Sequence, residues 1–254
     1  MRAWPALALA LALALAAVAA GAQQRQPPAD PLLRAAIVNA ELAIAYLKQD
    51  DVITAREKIN KALEQNPRDA QVQTSAGLVF ERLQELEEAD RHYSTALRLA
   101  PHNSDMQNNY AVFLCRRGHF EPGRKLFEQA AKNPSNRSPE VALANAGTCA
   151  RSAGNLVAAE ELFRNSLALR SDYPDALIQL ADLSQRRGEN RQARGFLEHY
   201  FAVAPNSADA LLLAVRIERA LGDAAAADRY TALLMRLFPD SEQARQLRNG
   251  PGGP

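Results

Sequence analysis

From about residue 36 to residue 241, apolar positions fall at the i, i+3, i+4, i+7 spacing of amphipathic helices, and the helices themselves recur. A Gly, Asp or Gln, then an apolar residue two later and a small residue three beyond that, appear at Asp50/Val52/Ala55, Gln84/Leu86/Ala89 and Gly118/Phe120/Gly123. The pattern continues at Gly154/Leu156/Ala159, Gly188/Asn190/Ala193 and Gly222/Ala224/Ala227. Successive copies are 34, 34, 36, 34 and 34 residues apart, and Pro67, Pro101, Pro205 and Pro239 occupy one place in four of the six. Each copy therefore predicts a helix, a tight turn, a second helix and a stop.

A 34-residue period with small residues in the first helix and Pro after the second is the tetratricopeptide signature. It predicts an all-α, right-handed superhelical solenoid of about six helix pairs, at 36–69, 70–103, 104–139, 140–173, 174–207 and 208–241. Stacked pairs need close backbone approach where helices cross and bulk where the next copy docks. Ala43, Gly77, Ala111, Gly147 and Ala181 supply the first in the leading helices; Leu42, Tyr46, Phe80, Tyr110, Leu114 and Leu180, with Ile59, Tyr93, Phe127, Phe163 and Leu197 in the second helices, supply the second. The two extra residues between the third and fourth copies fall in the turn-rich 133–139 stretch. Ser184, Glu218 and Thr231 replace apolar residues in the last copies, as expected where a terminal repeat meets water.

Ahead of the repeats, Arg2, the apolar run Leu7 to Val18 and Ala20-Gly21-Ala22 form an export signal with a small-x-small cleavage site, residues 1–22. Its apolar run is shorter than the roughly 20 residues that span a bilayer. A polar Pro-rich leader, 23–31, follows; the repeat domain is expected over 32–246 and a flexible Gly/Pro tail over 247–254. The net charge of +1, with Lys and Arg scattered, argues against a nucleic-acid partner.

Only two cysteines are present, Cys115 and Cys149, late in the first helices of consecutive copies. In an exported chain they invite a disulfide, worth roughly 4 kcal/mol on the chain-entropy model; the alternative is a pair of small buried thiols. The four histidines lack metal-ligand spacing, and neither a phosphate loop nor a nucleophile elbow is present. No catalytic residue, metal or cofactor is expected, and the chain is expected not to be an enzyme.

What remains is a groove lined by the free face of the first helices. Its register runs through Ile37, Ala40, Ile44 and Leu47, then Thr74, Leu78 and Arg82, then Asn108, Val112 and Arg116, then Val141, Ala144 and Thr148, and ends at Ile178, Asp182, Arg216 and Arg219. Ile37, Ile44 and Leu47 make the first copy the apolar one and an expected docking patch for a strand or helix, unless the segment from Leu32 folds over them. Asn109 and Asn145 share a register and could either hydrogen-bond an extended peptide or cap local loops.

The stretch Asn108-Asn109-Tyr110-Ala111-Val112-Phe113-Leu114-Cys115, the later Asn145-Ala146-Gly147-Thr148-Cys149, Ala181-Asp182-Leu183 and Leu237-Phe238-Pro239-Asp240-Ser241 together resemble the type IV pilus biogenesis and stability proteins of the PilF/PilW kind, from Ala35 to about Ala244. That resemblance implies a periplasmic, non-enzymatic pilotin that binds the secretin subunit and helps it reach and multimerise in the outer membrane, supporting pilus assembly and twitching motility. The chain departs from the family at one point: Ala19-Ala20-Gly21-Ala22 offers no Cys for acylation, so a direct lipid anchor is not carried over. The partner-binding residues are expected among Ile37, Ile44, Leu47, Thr74, Leu78, Arg82, Asn108, Asn109 and Asn145, on a monomer that reaches the outer membrane through its partner. A general tetratricopeptide adaptor for another envelope assembly machine is the other reading of the same surface.

Overall fold

In a computed structural model of the chain, residues 31–249 are described; the expected export signal, nearly all of the leader and the end of the tail lie outside them. The described residues form thirteen helices. The first three pairs are α1 (Pro31–Lys48) with α2 (Val52–Gln65), α3 (Ala70–Arg82) with α4 (Leu86–Leu99), and α5 (Ser104–Arg116) with α6 (Phe120–Lys132). Then come α7 (Pro139–Ser152) with α8 (Leu156–Leu169), α9 (Pro174–Arg186) with α10 (Asn190–Val203), and α11 (Ala208–Leu221) with α12 (Ala224–Leu237). A short α13 (Glu242–Asn249) follows the last pair. It carries helical structure to Asn249, where a flexible tail was expected from residue 247. Ala244 is buried and Leu247 packs with Leu234 and Phe238, covering the apolar end of the last pair.

One local device makes every pair. The six turn residues read from the sequence are the six positive-φ positions of the chain's described part: Asp50 and Gln84 at 61° and 62°, and Gly118, Gly154, Gly188 and Gly222 between 77° and 80°. After each, the next residue's N–H returns to a carbonyl five residues back, as in His119 to Leu114 at 2.8 Å and Asp223 to Glu218 at 2.9 Å. This is the Schellman closure, which satisfies the carbonyls left at a helix end. Three of the six following helices begin on side-chain caps: Asp51 accepts from the Thr54 amide, Asn155 from Ala158 and Asp223 from Ala226. Each such cap contributes on the order of 1 kcal/mol.

The small and large positions meet as the pattern requires. Tyr93, Phe127 and Phe163 are fully buried and rest against Gly77, Ala111 and Gly147 of the leading helices. A side-chain carbon on Gly147 would lie 2.7 Å from the Phe163 ring. Leu42 differs from its expected core role: it is 39% exposed, because among the described residues no earlier pair covers the outer side of α1. The two extra residues of the third copy are absorbed by consecutive Asx turns, in which Asn133 accepts from the Ser135 amide and Asn136 from the Ser138 amide. Cys115 and Cys149 form a disulfide with Cα atoms 5.5 Å apart, tying α5 to α7.

Candidate functional site

The inner face of the solenoid is built from one stripe of each leading helix. Along it, the same register position reads Ile44, Leu78, Val112, Thr148, Asp182 and Arg216. The stripe is apolar through three pairs and polar through the last three. Where it is apolar it opens into a depression of about 470 Å³, lined by Ile44, Leu47, Leu78, Glu81, Arg82 and Arg116, with Lys48 and Gln84 at its edge.

The floor of this depression is aliphatic and its rim is charged. Arg82 reaches across the turn to Asp50 at 2.8 Å, and Arg116 reaches Glu81 at 3.0 Å. The other Glu81 oxygen accepts from the Tyr93 hydroxyl at 2.9 Å, so one carboxylate links α3, α4 and α5. Burial, followed by that carboxylate, pushes the Tyr93 hydroxyl far above its ordinary value, so it stays a donor at all physiological pH. The exposed guanidinium pairs contribute little to stability, but they hold two cations beside an apolar floor, the combination that enriches Arg in recognition surfaces.

Four of the nine residues expected to bind a partner line this depression: Ile44, Leu47, Leu78 and Arg82. Ile37 lies two turns earlier on α1 and is half-buried. Thr74 is a correction: it is 8% exposed and its hydroxyl donates back to the Ala70 carbonyl at 2.9 Å, so it offers no contact surface. Ala40 and Ala144, read into the same face, are likewise buried. Asn145 donates to Asn108 at 3.0 Å, joining α7 to α5, while Asn109, which shares Asn145's register, is half-buried. Asn145 also lines a smaller recess of about 160 Å³ over the disulfide, which shares Arg116 with the apolar depression. Glu81 and Lys48 were missed by the sequence reading. Their signal is adjacency: each sits three or four residues from a stripe position, on the same helical face.

The tetratricopeptide-repeat family models match residues 40–104 and 150–208. The type IV pilus assembly protein PilF of Pseudomonas aeruginosa is 26% identical over 208 residues, 82% of this chain and 82% of its own length. The crystal structure of PilW, a widely conserved type IV pilus biogenesis factor, superposes with a TM-score of 0.72 at 29% identity, covering 83% of this chain and 97% of PilW. That of Pseudomonas aeruginosa PilF gives 0.71 at 25% identity, covering 86% and 99%. The chain is a tetratricopeptide-repeat solenoid, homologous to PilF and similar in structure to PilF and PilW.

Proposed function

We propose that this protein is a non-enzymatic periplasmic scaffold of the pilotin type, which binds the type IV pilus secretin subunit and assists its outer-membrane localisation and multimerisation. The observation that carries the reading is the change of the inner stripe from Ile44, Leu78 and Val112 to Thr148, Asp182 and Arg216. It confines an apolar, cation-rimmed docking surface to the first three pairs. An extended or helical segment with apolar side chains two or three positions apart would seat on Ile44, Leu47 and Leu78, with acidic groups toward Arg82 and Arg116. The disulfide between Cys115 and Cys149 supports an oxidising compartment. Among the described residues no helix is long and apolar enough to cross a membrane.

The test is co-purification of secretin subunits on the immobilised mature chain, comparing wild type with the Ile44→Asp/Leu47→Asp variant. Retention by the wild type and at least about tenfold less by the variant, with unchanged helicity, is the expected outcome. Equal retention would remove this face from the account.

A further inference from the structure

A second groove lies on the opposite side of the third pair. It runs between α4 and α6 over a floor made by α5, and its three segments join end to end. The middle segment, about 800 Å³, shares Leu86, Glu87 and Arg117 with one end and Gln129 with the other. The trough therefore follows α4 and α6 for most of their length, about 20 Å for a 14-residue helix. Its floor and sides are apolar in the middle, with Tyr110, Phe113, Leu114 and Leu126.

Its polar groups are arranged by side. Along α4 stand Glu87 and Asp90; along α6 stand Lys125 and Lys132, with Arg117 at one mouth. No ion pair among the described residues involves Glu87, Arg117 or Lys132, and Lys125 has only Glu121 at 3.8 Å. The floor ends at Gln107. In the preceding pair the equivalent Gln73 is fully satisfied: its amide nitrogen donates to the Pro67 carbonyl at 2.7 Å and its oxygen meets His92 Nδ1 at 2.6 Å. Gln107 repeats the first bond, to the Pro101 carbonyl at 2.8 Å, but its other partner's position is occupied by Leu126. The Gln107 oxygen is left without a partner on a residue only 4% exposed, a costly state for a buried acceptor.

We propose that this trough is a second docking site, and that its occupant is an amphipathic helix of a partner protein. That helix would lay an apolar stripe on the floor, a basic flank toward Glu87 and Asp90, and an acidic flank toward Lys125 and Lys132. A trough flanked by two helix walls along an apolar floor suits a third helix, and the opposed signs of the walls fix its orientation. Because the trough uses Tyr110, Phe113 and Leu114 of α5 while the inner stripe uses Val112 and Arg116 on another face of that helix, with Ile44, Leu47 and Leu78 on α1 and α3, this site and the secretin-binding face can be occupied together.

The test uses a fluorescent 14-residue probe helix with Leu at i, i+3, i+7 and i+10, Lys along one flank and Glu along the other, and a second probe with the flanks exchanged. Anisotropy titration against the mature chain is expected to favour one probe over the other by about tenfold. The Glu87→Lys/Lys125→Glu variant, which alters two exposed side chains, is expected to reverse that preference, and Ile44→Asp/Leu47→Asp to leave it unchanged. Equal affinity for both probes, no binding at millimolar protein, or a preference abolished by the inner-face variant would each overturn the proposal. So would concentration-dependent dimerisation that the charge reversal abolishes, which would assign the trough to a second copy of the chain.

Discussion

Gly147 and Phe163 stand in each other's space: the ring of Phe163, fully buried in α8, passes so close to the α7 backbone that a Cβ on Gly147 would lie 2.7 Å from it. The same relation joins Gly77 to Tyr93 at 2.8 Å. These contacts set how closely the two helices of a pair approach, and hence how the next pair docks. Gly147→Ala is expected to cost about 1–3 kcal/mol through overpacking. Gly195, inside α10 with open space around it, is the control: Gly195→Ala is expected to stabilise by up to about 1 kcal/mol. Thermal unfolding of the two variants checks both signs.

The turns make a second prediction. Gln84 holds a left-handed conformation that four of its five counterparts assign to glycine, and its side chain makes only a long 3.4 Å contact to the Glu81 carbonyl. Gln84→Gly is expected to stabilise by about 1 kcal/mol, since the strain of φ 62° exceeds the extra flexibility gained by the unfolded chain. Asp50→Gly is expected to gain less, because Asp50 also pairs with Arg82. Urea midpoints at constant slope would register both changes.

His92 gives the fold a pH dependence. It is buried, stacked on Phe80 with ring centroids 5.1 Å apart, and bonded to Gln73. Burial, then the charge of Arg91, lowers its basicity, and Glu88 only partly opposes them. A depressed base favours the neutral folded form, so its contribution is present above about pH 6.5, the unfolded value, and is lost as pH falls from there through the folded value. Stability is expected to drop over that window, and His92→Leu, the residue pattern of Gln107 and Leu126 in the next pair, is expected to flatten the drop.

The disulfide closes a span of 34 residues around the long loop between α6 and α7. Replacing Cys115 and Cys149 by Ala is expected to cost about 2–4 kcal/mol and to hasten proteolysis in the 133–138 loop, measured by limited digestion followed by mass analysis. Undiminished protease resistance would show that the packing of α5 on α7 suffices without the bond.

The repeat was legible because its constraints fall on single residue types. A left-handed turn calls for Gly, Asp or Gln at one place, and Gly118, Gly154, Gly188 and Gly222 answer in register. The inner face was legible to within a helical turn. Ile44 and Leu78 were placed on it, but Thr74, one turn before Leu78, is closed over by neighbouring helices, and the pattern of one helix does not say how far its neighbours reach. Leu42 lies outside the core for the converse reason: later copies have a preceding pair to bury that position, and α1 has none among the described residues. The trough between α4 and α6 left one trace in the sequence, Leu126 where the previous copy has His92. Its meaning depends on Gln107, 19 residues away and visible only once the helices are packed.

On the proposed function, the apolar inner face of the first three pairs recruits the secretin. The most direct measurement is the yield of heat-stable secretin multimer in outer membranes of cells whose only copy of this protein is the Ile44→Asp/Leu47→Asp variant, expressed at wild-type level. Loss of the multimer with monomer left behind is expected, while Glu87→Lys/Lys125→Glu preserves it. Wild-type multimer in the inner-face variant would exclude this face as the recruiting surface.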